Sequence, residues 1–386
     1  MSINFKKKNL GEVSEIIAGQ SPPSSSYNNN NDGLPFFQGK VDFGDEYPSV
    51  RVWCNEPSKI ALPNDILISV RAPVGPTNIC NVKSCIGRGL SAIRAKEDNH
   101  YKYLFYFLRY KEKELANMGR GSTFSAITQD DLKEIYIPVP SLSVQKQIAY
   151  ILDKADSIRK KRQQSIRLAD EFLRSTFLDM FGDPVNNRKC FTIKRLSEIC
   201  TKITDGTHAT PERLKKGVKF ITGKHIRQFF IDYENSDYVT KEIHEEIFRR
   251  CNPEYGDILY TNIGANVGTA AMNIVKYEFS MKNVALLKPD YNVIASHFVE
   301  HVLNFPNMKD SILNKASLGG AQQFMSLAII NNIILPIPPI GLQNQFSRIV
   351  EQTEKDKRKH KLFLTESENL FNSLMQKAFS DLLLEV

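Results

Sequence analysis

The sequence predicts an α+β chain of two tandem globular domains, each followed by a long helix, the two helices pairing as an antiparallel coiled coil with pseudo-two-fold symmetry. Three observations predict it. First, Gly121 to Phe124, Ile137-Pro138-Val139-Pro140, Gln145, Gln147, Phe181 and Asp183 recur 198 residues later as Gly319 to Gln322, Leu335-Pro336-Ile337-Pro338, Gln343, Gln345, Phe379 and Asp381. A fixed period marks a duplicated unit. Second, an apolar stripe with helical spacing follows each Pro-x-Pro segment. Third, 386 residues exceed what one core usually serves, and 41% apolar residues with 23 Phe and 14 Tyr fill two. The expected division is 1–142, 143–182, 183–340 and 341–386.

Each half opens on an apolar turn, Leu10-Gly-Glu-Val13 and Leu196-Ser-Glu-Ile199, then a loop of turn formers at 19–32 and 204–216. The run Leu34-Pro-Phe-Phe-Gln-Gly-Lys40 matches Val218-Lys-Phe-Ile-Thr-Gly-Lys224, and Asp65-Ile-Leu-Ile-Ser69 matches Asp257-Ile-Leu-Tyr-Thr261. β-Branched residues favour extended backbone, so these runs read as strands, leading to glycine turns at Gly75 and Gly268. Tyr101 to Met118 and His297 to Leu313 read as modest helices. The loop from Pro22 to Asp32, with four asparagines from Asn28, reads as a polar insertion in preference to a mobile reading loop.

Proline stiffens the exit from each domain, and from about Ser143 the period becomes helical. The expected seam is Ile148, Ile151, Ala155, Ile158, Ala169 and Phe172 on the first helix, with Phe346, Ile349, Leu370 and Leu374 on the second. At 1.5 Å per residue each helix is about 55 Å long and needs a partner along its stripe. The other helix is the expected partner, in preference to the preceding domain. Basic quartets, Arg159-Lys160-Lys161-Arg162 and Lys357-Arg358-Lys359-His360, also stand 198 residues apart. Paired antiparallel, they would form one central basic patch for phosphate or an acidic partner, although solvated helix faces are commonly rich in such residues.

A net charge of +8 and a pI near 9.0 suit an anionic partner without proving one. No signal segment follows the basic N-terminus, and the apolar run from Leu327 to Ile340 is too broken to span a membrane. Six cysteines without a Cys-x-x-Cys pair fit free thiols in a cytoplasmic setting. Gly33 to Lys40 and Gly217 to Lys224 lack the spacing and the following Ser or Thr of a phosphate-binding loop. Asn252-Pro-Glu-Tyr255 departs from the Asp/Asn-Pro-Pro-Tyr/Phe loop of adenine methylases and reads as a turn before Asp257. The histidines show no metal-ligand spacing, His297 and His301 reading as a helix-face pair. No catalytic constellation appears in both halves, so no catalytic residue, metal or cofactor is expected in this chain.

The Leu-Gly-Glu-Val opening, the block from Asp65 to Arg71 with its echo at Asp257, Gly121-Ser-Thr-Phe before Asp131-Leu-Lys, and above all Ile137-Pro-Val-Pro-Ser-Leu-Ser-Val-Gln145-Lys-Gln147 with its echo at Leu335 carry a resemblance. The chain resembles the specificity subunit of type I restriction–modification systems over nearly its whole length. Val144 and Leu342 stand where that family often has Glu, a departure at the helix starts. The resemblance implies two target recognition domains, each reading half of a bipartite double-stranded DNA target, and helices whose length sets the spacer. It also implies docking of two methyltransferase subunits that modify adenine N6 with S-adenosylmethionine, and of two restriction subunits that translocate and cleave with ATP and Mg²⁺. The rival is a non-catalytic two-headed protein scaffold that binds DNA incidentally.

Arg and Lys position proteins on phosphates and read guanine, and Asn and Gln read adenine. The candidate DNA contacts are Lys40, Arg51, Arg71, Arg88 and Arg120 in the first half, and Lys224, His225, Arg227, Asn262, Asn266 and Lys282 in the second.

Overall fold

A computed structural model describes residues 5–119, 126–316 and 324–380. It forms two compact units, Met1–Gln163 with Lys361–Val386, and Gln164–His360. Both boundaries fall inside the long helices, Leu142–Phe181 and Ile340–Phe379, of 40 residues each. Each unit therefore holds one globular head and a stretch of each helix.

In the first unit the opening turn Leu10–Val13 buries Leu10 and Val13, and the Glu12 carboxylate accepts the Asn9 N–H at 2.7 Å. Strands Ser14–Ala18, Leu90–Ala95, Ile66–Ser69 and Thr77–Ile79 form, in that order, an antiparallel sheet. A second sheet contains the parallel pair Leu34–Phe37 and Ser84–Ile86. The strand entry at Asp65 has a physical cause. Its buried carboxylate accepts the Leu62 N–H at 2.7 Å, closing the preceding turn, and is forked by Arg94 of the neighbouring strand at 2.9 and 2.7 Å.

The second unit repeats this plan. Glu198 accepts the Arg195 N–H at 2.7 Å, and the strand order is Cys200–Asp205, Ala285–Pro289, Ile258–Tyr260, Ala270–Met272. Val218–Thr222 runs parallel to Ser280–Lys282. Asp257 accepts the Glu254 N–H at 2.8 Å and the Lys288 ammonium at 2.7 Å, and the chain turns from Glu254 to Asp257, just before the strand. Gly75 and Gly268 take φ of +109° and +76°, the left-handed region in which a side chain is strained, and both lie where a glycine turn is expected. The asparagine loop closes on itself, Asn28 Oδ1 accepting from Asn30 and Asp32 N–H at 3.1 Å each.

The duplicated glutamines explain their own spacing. Gln145 is fully buried; its Oε1 accepts the His100 N–H at 2.9 Å, and its Nε2 donates to Pro140 O at 3.0 Å. Gln343 repeats this with Ala295 N–H at 2.9 Å and Pro338 O at 2.7 Å. His100 and Ala295 are the N-caps of the head helices Tyr101–Tyr110 and Ser296–Asn304, so one amide joins helix, Pro-x-Pro exit and head.

Within each unit the long helices run antiparallel. In the first, Arg162 lies over the Phe363 ring at 5.2 Å and Arg159 over Phe371 at 5.8 Å. In the second, Asp170 meets Lys357 at 2.5 Å and Phe177 meets Phe346 at 5.6 Å. The helices also join the cores of the heads. Leu152, Ala155, Phe371, Met375 and Phe379 pack in the first head's core, and Leu173, Phe177, Phe181, Phe346 and Val350 in the second's. Pairing and packing on a head are thus combined, where the sequence reading set them as alternatives. The final aromatics show it: Phe379 packs tilted or edge-on among Tyr103, Phe107 and Tyr110, and Phe181 edge-on against Phe298.

The seam differs in part from the apolar stripe. Ala155 and Phe346 are buried, Ile148, Ile349 and Leu374 pack partly against the cores, and Ala169 is half-buried. Ile151, Ile158, Phe172 and Leu370, however, are 43%, 50%, 52% and 55% exposed. The buried face of the first helix runs through Gln145, Ala149, Leu152 and Asp156. It carries polar side chains with bonded partners, so a stripe drawn from hydrophobicity alone slides to its edge. No helix among the described residues is long and apolar enough to cross a membrane.

Candidate nucleic-acid interface

Each head bears a cleft at the same point of its fold, where a strand of the parallel pair ends in a single tight turn. In the first unit Leu34–Phe37 leads to the turn Lys40–Asp42. The cleft there, about 490 Å³, is lined by Gln38, Gly39, Lys40, Ser69, Arg71 and Arg88. Gly89 makes the close approach possible, since a Cβ there would stand 2.3 Å from Gln38 O. The side chains of Lys40, Arg71 and Arg88 are exposed. Among the described residues these three cations form no ion pair, the nearby Asp42 being held by Arg51, which makes the cleft attractive to an anion.

In the second unit Val218–Thr222 leads to the turn Gly223–His225. Its cleft, about 440 Å³, is lined by Arg213, Thr222, Lys224, Asn266, Lys282 and Asn283. Here a carboxylate intervenes: Asp237 pairs with Lys224 at 3.0 Å and with Arg213. Burial would raise the Asp237 carboxyl, but the two cations outweigh it and hold it below the usual carboxylate range. Lys282 donates to the Thr210 hydroxyl, and Asn266 Nδ2 donates to Ile226 O at 3.4 Å. The second cleft is therefore richer in amides and poorer in uncompensated charge.

The structure gathers Lys40, Arg71 and Arg88 in one cleft and Lys224, Asn266 and Lys282 in the other. Four candidates stand differently. Arg51 forks the Asp42 carboxylate at 3.1 and 2.6 Å, and Arg227 donates to Lys224 O at 2.5 Å; both brace the turns. His225, on the tight turn, and Asn262, just after the strand Ile258–Tyr260, are buried. Arg120 lies outside the described residues, as do Gly121 to Phe124 and Gly319 to Gln322. Sequence reasoning passed over Gln38, Arg213, Asn283 and Asp237. Gln38 and Asn283 adjoin chosen motifs and were legible by adjacency, whereas Arg213 and Asp237 are brought in by tertiary folding alone.

The basic quartets are partly neutralised within their own units. Arg159 holds Asp156 at 2.7 Å, Lys160 reaches Asp156 at 3.1 Å and Glu46 at 3.3 Å, and Lys359 faces Asp356 at 3.7 Å. Lys357 is buried between Asp170 and Glu354. Arg358 is exposed, and Lys161 and His360 have partners of their own. The His297 and His301 pair belongs to the core: His301 is buried, donates from Nδ1 to His297 O at 2.8 Å and stacks on Phe177.

A family model, the type I restriction modification DNA specificity domain, matches residues 2–168 and again 189–362. The putative type I restriction enzyme MjaX specificity subunit of Methanocaldococcus jannaschii is 42% identical over 193 residues, 45% of each chain, so this chain matches under half of that relative's length. The type I restriction enzyme EcoBI specificity subunit of Escherichia coli is 22% identical over 96% of this chain and 84% of its own. The crystal structure of the type I restriction–modification S subunit from M. genitalium shares the fold, with a TM-score of 0.67 and 17% identity over 98% of this chain and 96% of that one. The duplicated heads and the two copies of the matched domain coincide: this chain belongs to the type I restriction–modification DNA specificity family.

Proposed function

We propose that each cleft reads one half of a bipartite, asymmetric double-stranded DNA target, and that the chain directs methyltransferase and restriction subunits to it. One observation carries the reading: equivalent turns of a duplicated fold end in cationic clefts whose linings differ. The shared cations neutralise phosphate and set the register. The differing side chains meet base edges, arginine suiting guanine and amides suiting adenine. Two equal clefts would read a palindrome; these two are unequal.

The helices act as the spacer between the heads, with 1–142 and 183–340 as recognition domains and 143–182 and 341–386 as the rods. Two methyltransferase subunits and two restriction subunits supply adenine N6 methylation and ATP-dependent cleavage, and this chain supplies no catalytic group. The exposed Ile151, Ile158, Phe172 and Leu370 support docking of such partners, because apolar side chains left on a helix are readily covered by another protein. The exposed members of the basic quartets, Arg358 foremost, are available to DNA phosphate.

The test is selection from a randomised duplex pool by the purified protein, alone and with its methyltransferase partner. The expected product is one two-block sequence with a fixed gap. Binding without sequence enrichment would instead favour the protein scaffold.

A further inference from the structure

We infer that Asp42 and His225 are counterpart positioning residues, one position apart in the matched runs, that lock the two cleft turns, one with a carboxylate and the other with an imidazole. The second cleft is therefore formed only while His225 is neutral. The inference rests on the proposed reading of the clefts only for its consequence on DNA; the lock itself is a property of the fold.

Both residues occupy the third position of the tight turn that carries a cleft lysine, and both are buried. Asp42 Oδ2 accepts the Gln38 N–H at 2.7 Å and the Gly39 N–H at 3.3 Å. Its Oδ1 is held by Arg51, so the carboxylate joins the end of the strand to the far side of the loop. In the second unit the Thr222 N–H, on the last residue of the strand, donates to His225 Nδ1 at 2.9 Å. A backbone N–H can only donate, so Nδ1 must carry a lone pair. Protonation removes that lone pair and sets two N–H groups against each other.

The surroundings oppose protonation on balance. Burial, and Lys224 on the same turn, hold the imidazole below its ordinary range. Asp237 on the strand Asp237–Val239 and Asp232 beyond the strand Phe230–Ile231 pull the other way. The sign follows: a folded pKa below the unfolded one gives a contribution fully present above the unfolded value and lost as pH falls. The first turn is held by a carboxylate in place of an imidazole, so it serves as the internal reference. Lys224, next to His225 in sequence, lines the cleft, so release of this turn moves a reading side chain directly.

The experiment compares the full-length protein with His225→Asn, which supplies a neutral acceptor that does not titrate, and with His225→Asp, which copies the first head. Amide hydrogen exchange of peptides spanning 218–230, corrected for intrinsic rate, is read at pH 8 and pH 5 against peptides spanning 36–43. Protection at 218–230 should fall about tenfold in the wild type, the scale of losing one cap, and stay constant in at least one variant. Peptides 36–43 should not change. Equal loss in the wild type and both variants, or no loss in any, overturns the lock. Binding to the selected duplex is measured in parallel. Discrimination at one half-site should fall with pH in the wild type and be rescued in the variant that keeps protection. Protection that changes while discrimination does not would leave the lock standing and overturn its role in reading DNA. A wild type with no sequence preference at pH 8 would reject that role too, with the exchange result still deciding the lock.

Discussion

Replacing Gln343 with alanine removes the amide that ties the second head to the second long helix. The side chain is fully buried and makes three hydrogen bonds, to Ala295 N, Pro338 O and Val293 O at 2.9, 2.7 and 3.2 Å. Alanine leaves the Ala295 N–H buried with no acceptor, which costs about 1–3 kcal/mol. Loss of the Cγ methylene's burial and the space left by the carboxamide add roughly 1 kcal/mol. The expected destabilisation is about 3 kcal/mol, read as a shift in the urea midpoint by circular dichroism. Gln343→Glu separates bonding from packing. It keeps the shape and the acceptor for Ala295, but sets a carboxylate against two carbonyls, so it should destabilise about as much as alanine. Gln145→Ala should do the same in the first unit, where Trp53, the single tryptophan, reports unfolding by fluorescence. A Glu variant as stable as the wild type would refute the hydrogen-bond account and leave only packing.

Three further outcomes are expected. Asp237→Asn releases Lys224 and Arg213 to phosphate, so non-specific DNA affinity should rise and its salt slope steepen by about 1; an unchanged slope in a salt titration would show that Asp237 is no counter-charge. His301 is pushed down to about 4 by burial, outweighing Glu300 and the His297 carbonyl. Its neutral form therefore stabilises the second unit fully above the unfolded value near 6.5, and up to about 3 kcal/mol is lost as pH falls from there to 4. His301→Leu should flatten that part of the stability profile, and a profile unchanged by the substitution would contradict the assignment. Matched seven-residue insertions, between Ile158 and Ile166 and between Lys361 and Glu368, should lengthen the paired helices by about 10 Å, roughly three base pairs of spacer. Sequencing of modified adenines in cells carrying this variant would show both half-sites intact and farther apart, whereas an unchanged gap would reject the helices as the spacer.

The duplication was legible because its anchors are backbone devices. Asp65 and Asp257 close turns, Gly75 and Gly268 need positive φ, and Gln145 and Gln343 cap the head helices; chemistry this local leaves a spacing in the sequence. The helix ends were equally plain, since proline before and Gly182 after leave little choice for the first. The seam was less so, because the buried face admits Gln145 and Asp156 once their bonds are satisfied, and hydrophobicity does not record that. The clefts were half legible. Lys40 and Lys224 follow glycines at repeated positions, but Asp237 reaches Lys224 only through sheet pairing, and His225 looks like a surface reader until its turn folds inward.

The most direct test of two separate reading heads is a pair of duplex selections, one with Arg71→Ala and Arg88→Ala together, the other with Lys224→Ala and Lys282→Ala. The account predicts that each double variant loses preference in one block of the target, a different block for each, and keeps the other block and the gap. Loss of both blocks by either variant, or of the same block by both, would contradict it.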